Sequence, residues 1–186
     1  MKSVPLSIKN HILESVRQVP SPNCSDRPDL EDISLIVIHS ISLPPEQYGG
    51  DEVERFFCNQ LPATEHAYFK EIEGLQVSAH LFIRRTGEVI QFVPFDLRAW
   101  HAGASCHQGR QNCNDFSIGI EMEGTDTGSF ESEQYRQLAN VIRILRQAYP
   151  QISAEDIVGH SDIAPGRKAD PGSGFEWGRI KPRKRS

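Results

Sequence analysis

The sequence predicts an α/β domain built on a mixed central β-sheet, and three stretches carry that reading. Ile33-Ser34-Leu35-Ile36-Val37-Ile38 is a short apolar run with β-branched residues, the composition of a strand buried on both faces. Residues 78–84 and 89–93 alternate on either side of Arg85-Thr86-Gly87-Glu88, as two strands of a hairpin do about a Gly-containing turn. Ser132 through Tyr149 sets Tyr135, Leu138, Val141, Ile142, Leu145 and Tyr149 on one stripe at helical spacing, and Pro150 ends it.

The other elements follow in chain order. Residues 1–20 are weakly patterned, and 20–32 are an irregular approach rich in proline and polar groups. The strand over 33–38 places His39 at its carboxyl end, where open α/β sheets hold their ligands. Residues 42–50 carry too much proline and glycine for regular structure. Asp51 through Phe57 reads as a short helix broken by Leu61-Pro62. Thr64 through Ile72 reads as a second one, with Gly74 as its stop. In the hairpin, His80 is either an orienting group behind a site or a satisfied interior histidine.

Residues 96–115 form a long loop, a feature that is often functional. In it, Trp100 and His101 offer the flat face and polar edges of a sugar-binding wall, or Trp100 only pins the loop. Ser117 through Gly124 alternates, with Ile118, Ile120 and Met122 on one face and Gly119, Glu121 and Glu123 on the other. Ile157-Val158 is a short strand leading to His160. No repeat and no internal boundary is visible, so residues 1–186 read as one domain, with its core over about 17–177 and a basic tail over 179–186.

Bulk properties narrow the function classes. The chain has 186 residues, a net charge of −5, 38% hydrophobic and 24% charged residues. That is ordinary for one globular domain and argues against nucleic acid as a main partner. No stretch has the length or apolarity of a membrane span, and the N-terminus lacks the pattern of a signal peptide, so a cytoplasmic protein without a membrane partner is expected. Cys24, Cys58, Cys106 and Cys113 are then free thiols. Cys106-His107 with Cys113 lacks the second short pair of a structural zinc site.

The residues that carry chemistry cluster in Gly159 through Gly172. His160 and Asp170 are ten apart, a spacing that no helix or strand brings together but a turn at Pro165-Gly166 can. With His39 they supply two imidazoles and a carboxylate, a ligand set for a catalytic zinc with one position left open. Glu121 is then the carboxylate that holds water and carries its proton, and Lys168 the cation that steadies an oxyanion. These parts suit hydrolysis of an amide.

Longer stretches point to a family. Val37-Ile38-His39, Ser42-Leu43-Pro44-Pro45, Val77-Ser78-Ala79-His80, Ala99-Trp100-His101-Ala102-Gly103, Cys113 through Glu121 and Gly159 through Gly172 resemble the cytoplasmic N-acetylmuramoyl-L-alanine amidases of the AmpD type. That group is related to phage lysozyme-like amidases and peptidoglycan recognition proteins. The resemblance covers about Arg17 to Trp177.

The resemblance implies a peptidoglycan-recognition-protein-like α/β fold and a Zn2+ ion on His39, His160 and Asp170, with Glu121 and Lys168 catalytic. Ser40, Trp100, His101 and Arg167 are candidate substrate contacts, and His80 a supporting residue. The implied substrate is a small anhydro-muropeptide. It would be cut between 1,6-anhydro-N-acetylmuramic acid and L-alanine during cytoplasmic cell-wall recycling, which in relatives also lowers a signal that induces a β-lactamase. Ser40 stands where close relatives carry asparagine. Gln76 and Asn112 stand where they carry arginines that hold the peptide's carboxylates, so peptide preference is expected to differ. Two alternatives stand beside this reading: a lytic amidase acting on intact peptidoglycan, and a muropeptide sensor. Sensors on this fold typically lack a zinc ligand.

Overall fold

The computed structural model describes residues 6–180, so most of the basic tail lies outside the described residues. Six strands form the central sheet: β1 (Arg17–Gln18), β2 (Leu35–Ile41), β3 (Leu81–Ile83), β4 (Val89–Gln91), β5 (Ser117–Glu123) and β6 (Ile157–Gly159). Their order is β6-β2-β5-β3-β4-β1. β6, β2, β5 and β3 are parallel, β4 is antiparallel to β3, and β1 is parallel to β4. This is the mixed α/β sheet that the sequence predicts. No helix among the described residues is long and apolar enough to cross a membrane.

Strand alternation sorts side chains into two layers. Ile36, Ile38, Ile118, Ile120 and Met122 pack with Leu138, Val141, Ile142 and Leu145 of helix α3 (Ser132–Ala148, numbered below with its shorter partners). Leu35 and Val37 face the other way, against Ala102, Phe116 and Ile163. Further along that second face, Phe82 and Ile90 pack with Phe57 of α1 (Glu52–Phe57) and Phe69 of α2 (Ala67–Glu71). Each such side chain contributes about 1.5–3 kcal/mol by leaving water.

Several elements differ from expectation. β5 is buried along all seven residues, Glu121 and Glu123 included, because strands lie on both sides of it and layers cover both faces. β2 runs two residues past His39, since Ser40 and Ile41 stay paired with Met122 and Glu123. α2 starts at Ala67, where the ring of His66 accepts the backbone N–H of Tyr68.

The first twenty residues contain a ribbon (Ile8–Lys9 with Ile12–Leu13) and β1. Asn10 and His11 turn that ribbon with φ of 49° and 61°, the left-handed pair of a tight hairpin turn. The 96–115 loop holds two short pairings, Leu97–Ala99 with Cys24–Asp26 and Cys106–His107 with Arg110–Gln111, and a 3-10 turn over Cys113–Asp115.

Two buried polar groups lock this frame. Arg27, 5% exposed, donates to the carbonyls of Phe95 (3.0 Å), Asp115 (3.1 Å) and Ser117 (2.7 Å), joining the long loop to β5. Burial lowers its pKa to about 10, so it stays charged at neutral pH. Gln134 of α3 is fully buried and donates to the last carbonyls of β3 and β5, those of Ile83 and Glu123, both at 3.1 Å. Its carbonyl accepts the N–H of Glu131 at 2.9 Å, capping the helix. Gln134→Leu keeps the volume but leaves these groups unpaired. A loss of about 1–3 kcal/mol in urea unfolding is expected, and an unchanged midpoint would refute the lock.

Candidate metal centre

Parallel pairing of β2 with β5 sets the site. The register places His39 directly beside Glu121. β6 flanks β2 on its other side and delivers His160 as the first residue of α4 (His160–Ile163). All three side chains therefore gather near the carboxyl ends of neighbouring parallel strands, and all are buried: His39 1%, Glu121 8% and His160 3% exposed.

Asp170 reaches the same point by a folded-back loop. Ala164 N–H bonds to the carbonyl of His160 at 3.0 Å, and the N–H groups of Arg167 and Lys168 both return to the carbonyl of Ala164 at 3.1 Å. Gly166 turns the chain with φ +77°, as Pro165-Gly166 suggests. Ser161 N–H then bonds to the carbonyl of Asp170 at 2.9 Å, closing the loop. Beyond it, Ser173 N–H bonds to the carbonyl of Asp126 at 3.1 Å. Gly172, at φ +87°, lies so close to that strand exit that a Cβ would fall 1.7 Å from the Asp126 oxygen.

His39, His160 and Asp170 form a cluster that could hold a metal ion. The separations are 3.0 Å for Nδ1 to Nδ1, 3.0 Å for His39 Nδ1 to Asp170 Oδ2, and 3.1 Å for His160 Nδ1 to Asp170 Oδ2. A tetrahedral zinc with bonds of about 2.0–2.1 Å has ligands roughly 3.3 Å apart, so the triangle is of the right size. Nε2–H of His160 donates to the carbonyl of Ala102 at 3.1 Å, which leaves a lone pair on Nδ1. Burial brings His39 down to about 4, so it is neutral at physiological pH. Burial opposes the charge of Asp170, yet the close approach of the His160 and His39 imidazoles holds it below the usual carboxylate range. Two neutral imidazoles and an ionised carboxylate are the state a divalent cation needs.

Glu121 completes the chemistry. Burial first, then the charge of Asp170, pushes it well above the usual carboxylate range, with Lys168 pulling the other way. Its Oε2 is buried and has no hydrogen-bond partner among the described residues. It lines a cleft of about 560 Å³ together with His39, His160, Lys168 and Asp170. Such a carboxylate is suited to take a proton from water and give it up again.

The remaining sequence candidates divide. Ser40 lines the cleft. Arg167 lines it too, but its guanidinium donates to the carbonyls of Ala102 and Ala104 at 2.6 Å and so ties down the 102–104 backbone. Trp100 donates from its indole to Ser25 Oγ at 3.2 Å, pinning the loop to the 24–26 strand. His101 reaches the cleft but lies behind His39, with its Nδ1 2.9 Å from His39 Nε2. His80 accepts the N–H of Gly119 on Nδ1 at 3.0 Å and donates from Nε2 to the carbonyl of Leu97 at 3.0 Å, so it orients backbone. Burial lowers its pKa to about 3.

The cleft wall draws on more than the 42–50 and 96–115 loops. Leu43 and Pro45 come from the first, but Phe56, Tyr68, Ile72 and Leu75 come from α1, α2 and the turn after them. Thr125 and Asp126 close the other side. No spacing in the sequence marks these residues, because they come from separate short elements.

Comparison with known proteins agrees with the geometry. Residues 29–173 match the family described as N-acetylmuramoyl-L-alanine amidase. The chain is 53% identical over 169 residues to the 1,6-anhydro-N-acetylmuramyl-L-alanine amidase AmpD of Escherichia coli, covering 91% of this chain and 92% of that one. It superposes on a crystal structure of a selenomethionine AmpD derivative with a TM-score of 0.90 and 51% identity, over 93% of this chain and 96% of that one. It also matches AmiD from E. coli in complex with anhydro-N-acetylmuramic acid-L-Ala-D-γ-Glu-L-Lys, with a TM-score of 0.58 and 26% identity, over 94% of this chain and 64% of that one.

The raised Glu121 has a measurable consequence in metal-free protein. A carboxyl that holds its proton more tightly when folded stabilises the fold below its unfolded pKa. That stability is lost as pH rises through the folded value. Glu121→Gln cannot ionise and removes the slope. In the presence of a chelator, the urea midpoint of the variant should gain on wild type as pH rises above the ordinary carboxylate range. Midpoints that run parallel through that rise would mean that Glu121 is not desolvated.

Proposed function

The chain belongs to the N-acetylmuramoyl-L-alanine amidase family, and on that basis we propose that it cleaves the lactyl amide between 1,6-anhydro-N-acetylmuramic acid and L-alanine of a stem peptide. The observation that carries the proposal is the convergence of His39, His160 and Asp170 beside an unpartnered, buried Glu121 in an open cleft. Similarity to AmpD over nine-tenths of the chain supports the anhydro-sugar substrate, and the peptide complex of AmiD supports the kind of ligand the cleft accepts. The reading places the step in cytoplasmic cell-wall recycling, as the family resemblance implies. There it would remove the muropeptides that induce a β-lactamase.

His39, His160 and Asp170 would hold zinc. When bound, zinc supplies Lewis acidity that polarises the amide carbonyl and acidifies a water. Glu121 would accept a proton from the attacking water as the water oxygen adds to the carbonyl carbon. Lys168 faces the developing oxyanion, an interaction whose loss costs roughly 3 kcal/mol of barrier. Glu121 then returns the proton to the alanine nitrogen as the C–N bond breaks, leaving a lactyl carboxylate and a free amine. Ser40 and the apolar wall of Phe56, Tyr68 and Ile72 would orient the substrate. Gln76 and Asn112, being neutral, would hold the peptide's carboxylates less tightly than arginines do.

Mass spectrometry tests the reading. Protein given anhydro-muramyl tripeptide should release L-alanyl peptide, and a zinc chelator should abolish release. Glu121→Gln should lower kcat by about 10²–10⁴-fold. Preferential solubilisation of intact sacculi would favour the lytic reading. Binding of muropeptide without cleavage, with zinc in place, would make the protein a sensor.

A further inference from the structure

We propose that His101 is a positioning residue for the metal centre: its Nδ1 accepts the Nε2–H of His39 and thereby fixes Nδ1 of His39 as the nitrogen that faces the ion. The inference rests on the metal-binding reading above and adds a part to it. His39 Nε2 lies 2.9 Å from His101 Nδ1, and the two rings meet edge to face at 83°. On its far side, His101 Nε2 is 3.1 Å from Ser117 Oγ, which is fully buried. With the lone pair of His39 Nδ1 given to a cation, its proton sits on Nε2 and must be accepted. His101 Nδ1 accepts that hydrogen bond, and its own Nε2–H donates one to Ser117 Oγ.

The seat of the His101 ring is built for this contact. A Cβ on Gly119 would fall 2.4–2.6 Å from three ring atoms, so only glycine leaves room there. Asn114 Oδ1 accepts the backbone N–H groups of His101 at 3.1 Å and Ala102 at 2.8 Å, setting the direction of the segment. Residues 101 and 102 thus serve both ligand histidines. The His101 ring takes the second nitrogen of His39, and the Ala102 carbonyl takes that of His160. Orienting partners of this kind typically change metal affinity by about 10–100-fold.

The test compares His101→Asn with His101→Leu. The two side chains have similar shape, but only asparagine puts an acceptor oxygen near the place of Nδ1. Zinc affinity is measured by competition with a chromophoric chelator, alongside the visible spectrum of the Co(II)-loaded protein and thermal melts of the metal-free forms. H101L should bind zinc about 10–100-fold more weakly with an altered cobalt spectrum, while H101N stays within about threefold of wild type. Wild-type affinity in H101L, or an equal loss in both variants, overturns the proposal. If H101L does not fold, Ser117→Ala decides. It removes the acceptor for His101 without touching either ring, so a loss beyond about threefold supports the relay and none overturns it. Failure of wild type to bind zinc would instead sink the metal reading itself.

Discussion

Everything at the candidate metal site depends on the parallel pairing of β2 with β5. Seven backbone register positions set His39 against Glu121, and the same ladder, extended to β6, brings His160 to the next strand end. A slip of β2 by one residue would turn His39 to the opposite face, away from Glu121 and among the isoleucines that pack on α3. The hydrophobic faces therefore do two things at once. They stabilise the sheet, and they make the only well-packed register the one in which the polar side chains meet.

That arrangement sets unfavourable electrostatics against favourable packing. His39, His80, His101 and Glu121 are all withdrawn from water, and desolvation is the leading cause of each displaced pKa. Desolvation favours the neutral form of each. Neutral imidazoles retain lone pairs for a cation, and a carboxylate with raised proton affinity is a better acceptor of a proton from water. Arg27 carries the one charge buried behind them, and it is spread over the carbonyls of the long loop and β5 rather than matched by a carboxylate. A fixed cation there discourages protonation of the neighbouring histidines.

Much of this was legible in the sequence for identifiable reasons. The 33–38 run and the 132–149 stripe are long enough for periodicity to show. His39, Glu121, His160, Lys168 and Asp170 stand out as the residue types of a zinc hydrolase, and the fold brings all five to one cleft. What escaped has equally physical causes. Strands of two or three residues, such as Ile8–Lys9, Cys24–Asp26 and β1, have no period to detect. In sequence, Glu121 and Glu123 on one face of β5 read either as solvent residues or as the floor of a wet cleft, and alternation alone does not choose. Glu123 in fact accepts the N–H groups of Gly49 and Arg85 and anchors two loops. The place of His101 was hidden as well: a histidine beside a tryptophan in a loop suggests a surface for sugar, whereas burial and Gly119 set it behind His39.

The close approach of Gly172 to Asp126 has a bearing on how such enzymes diversify. The segment after β5 lines the cleft, and it also abuts, main chain to main chain, the loop that carries Asp170. A lengthened or transplanted 124–128 segment would press on Asp170 through that seam before it met any substrate. The two segments are therefore heritable only as a cassette. Variation in what the cleft accepts has a freer path through α1, α2 and the turn at 72–77, whose side chains reach the same space without touching the ligands' support.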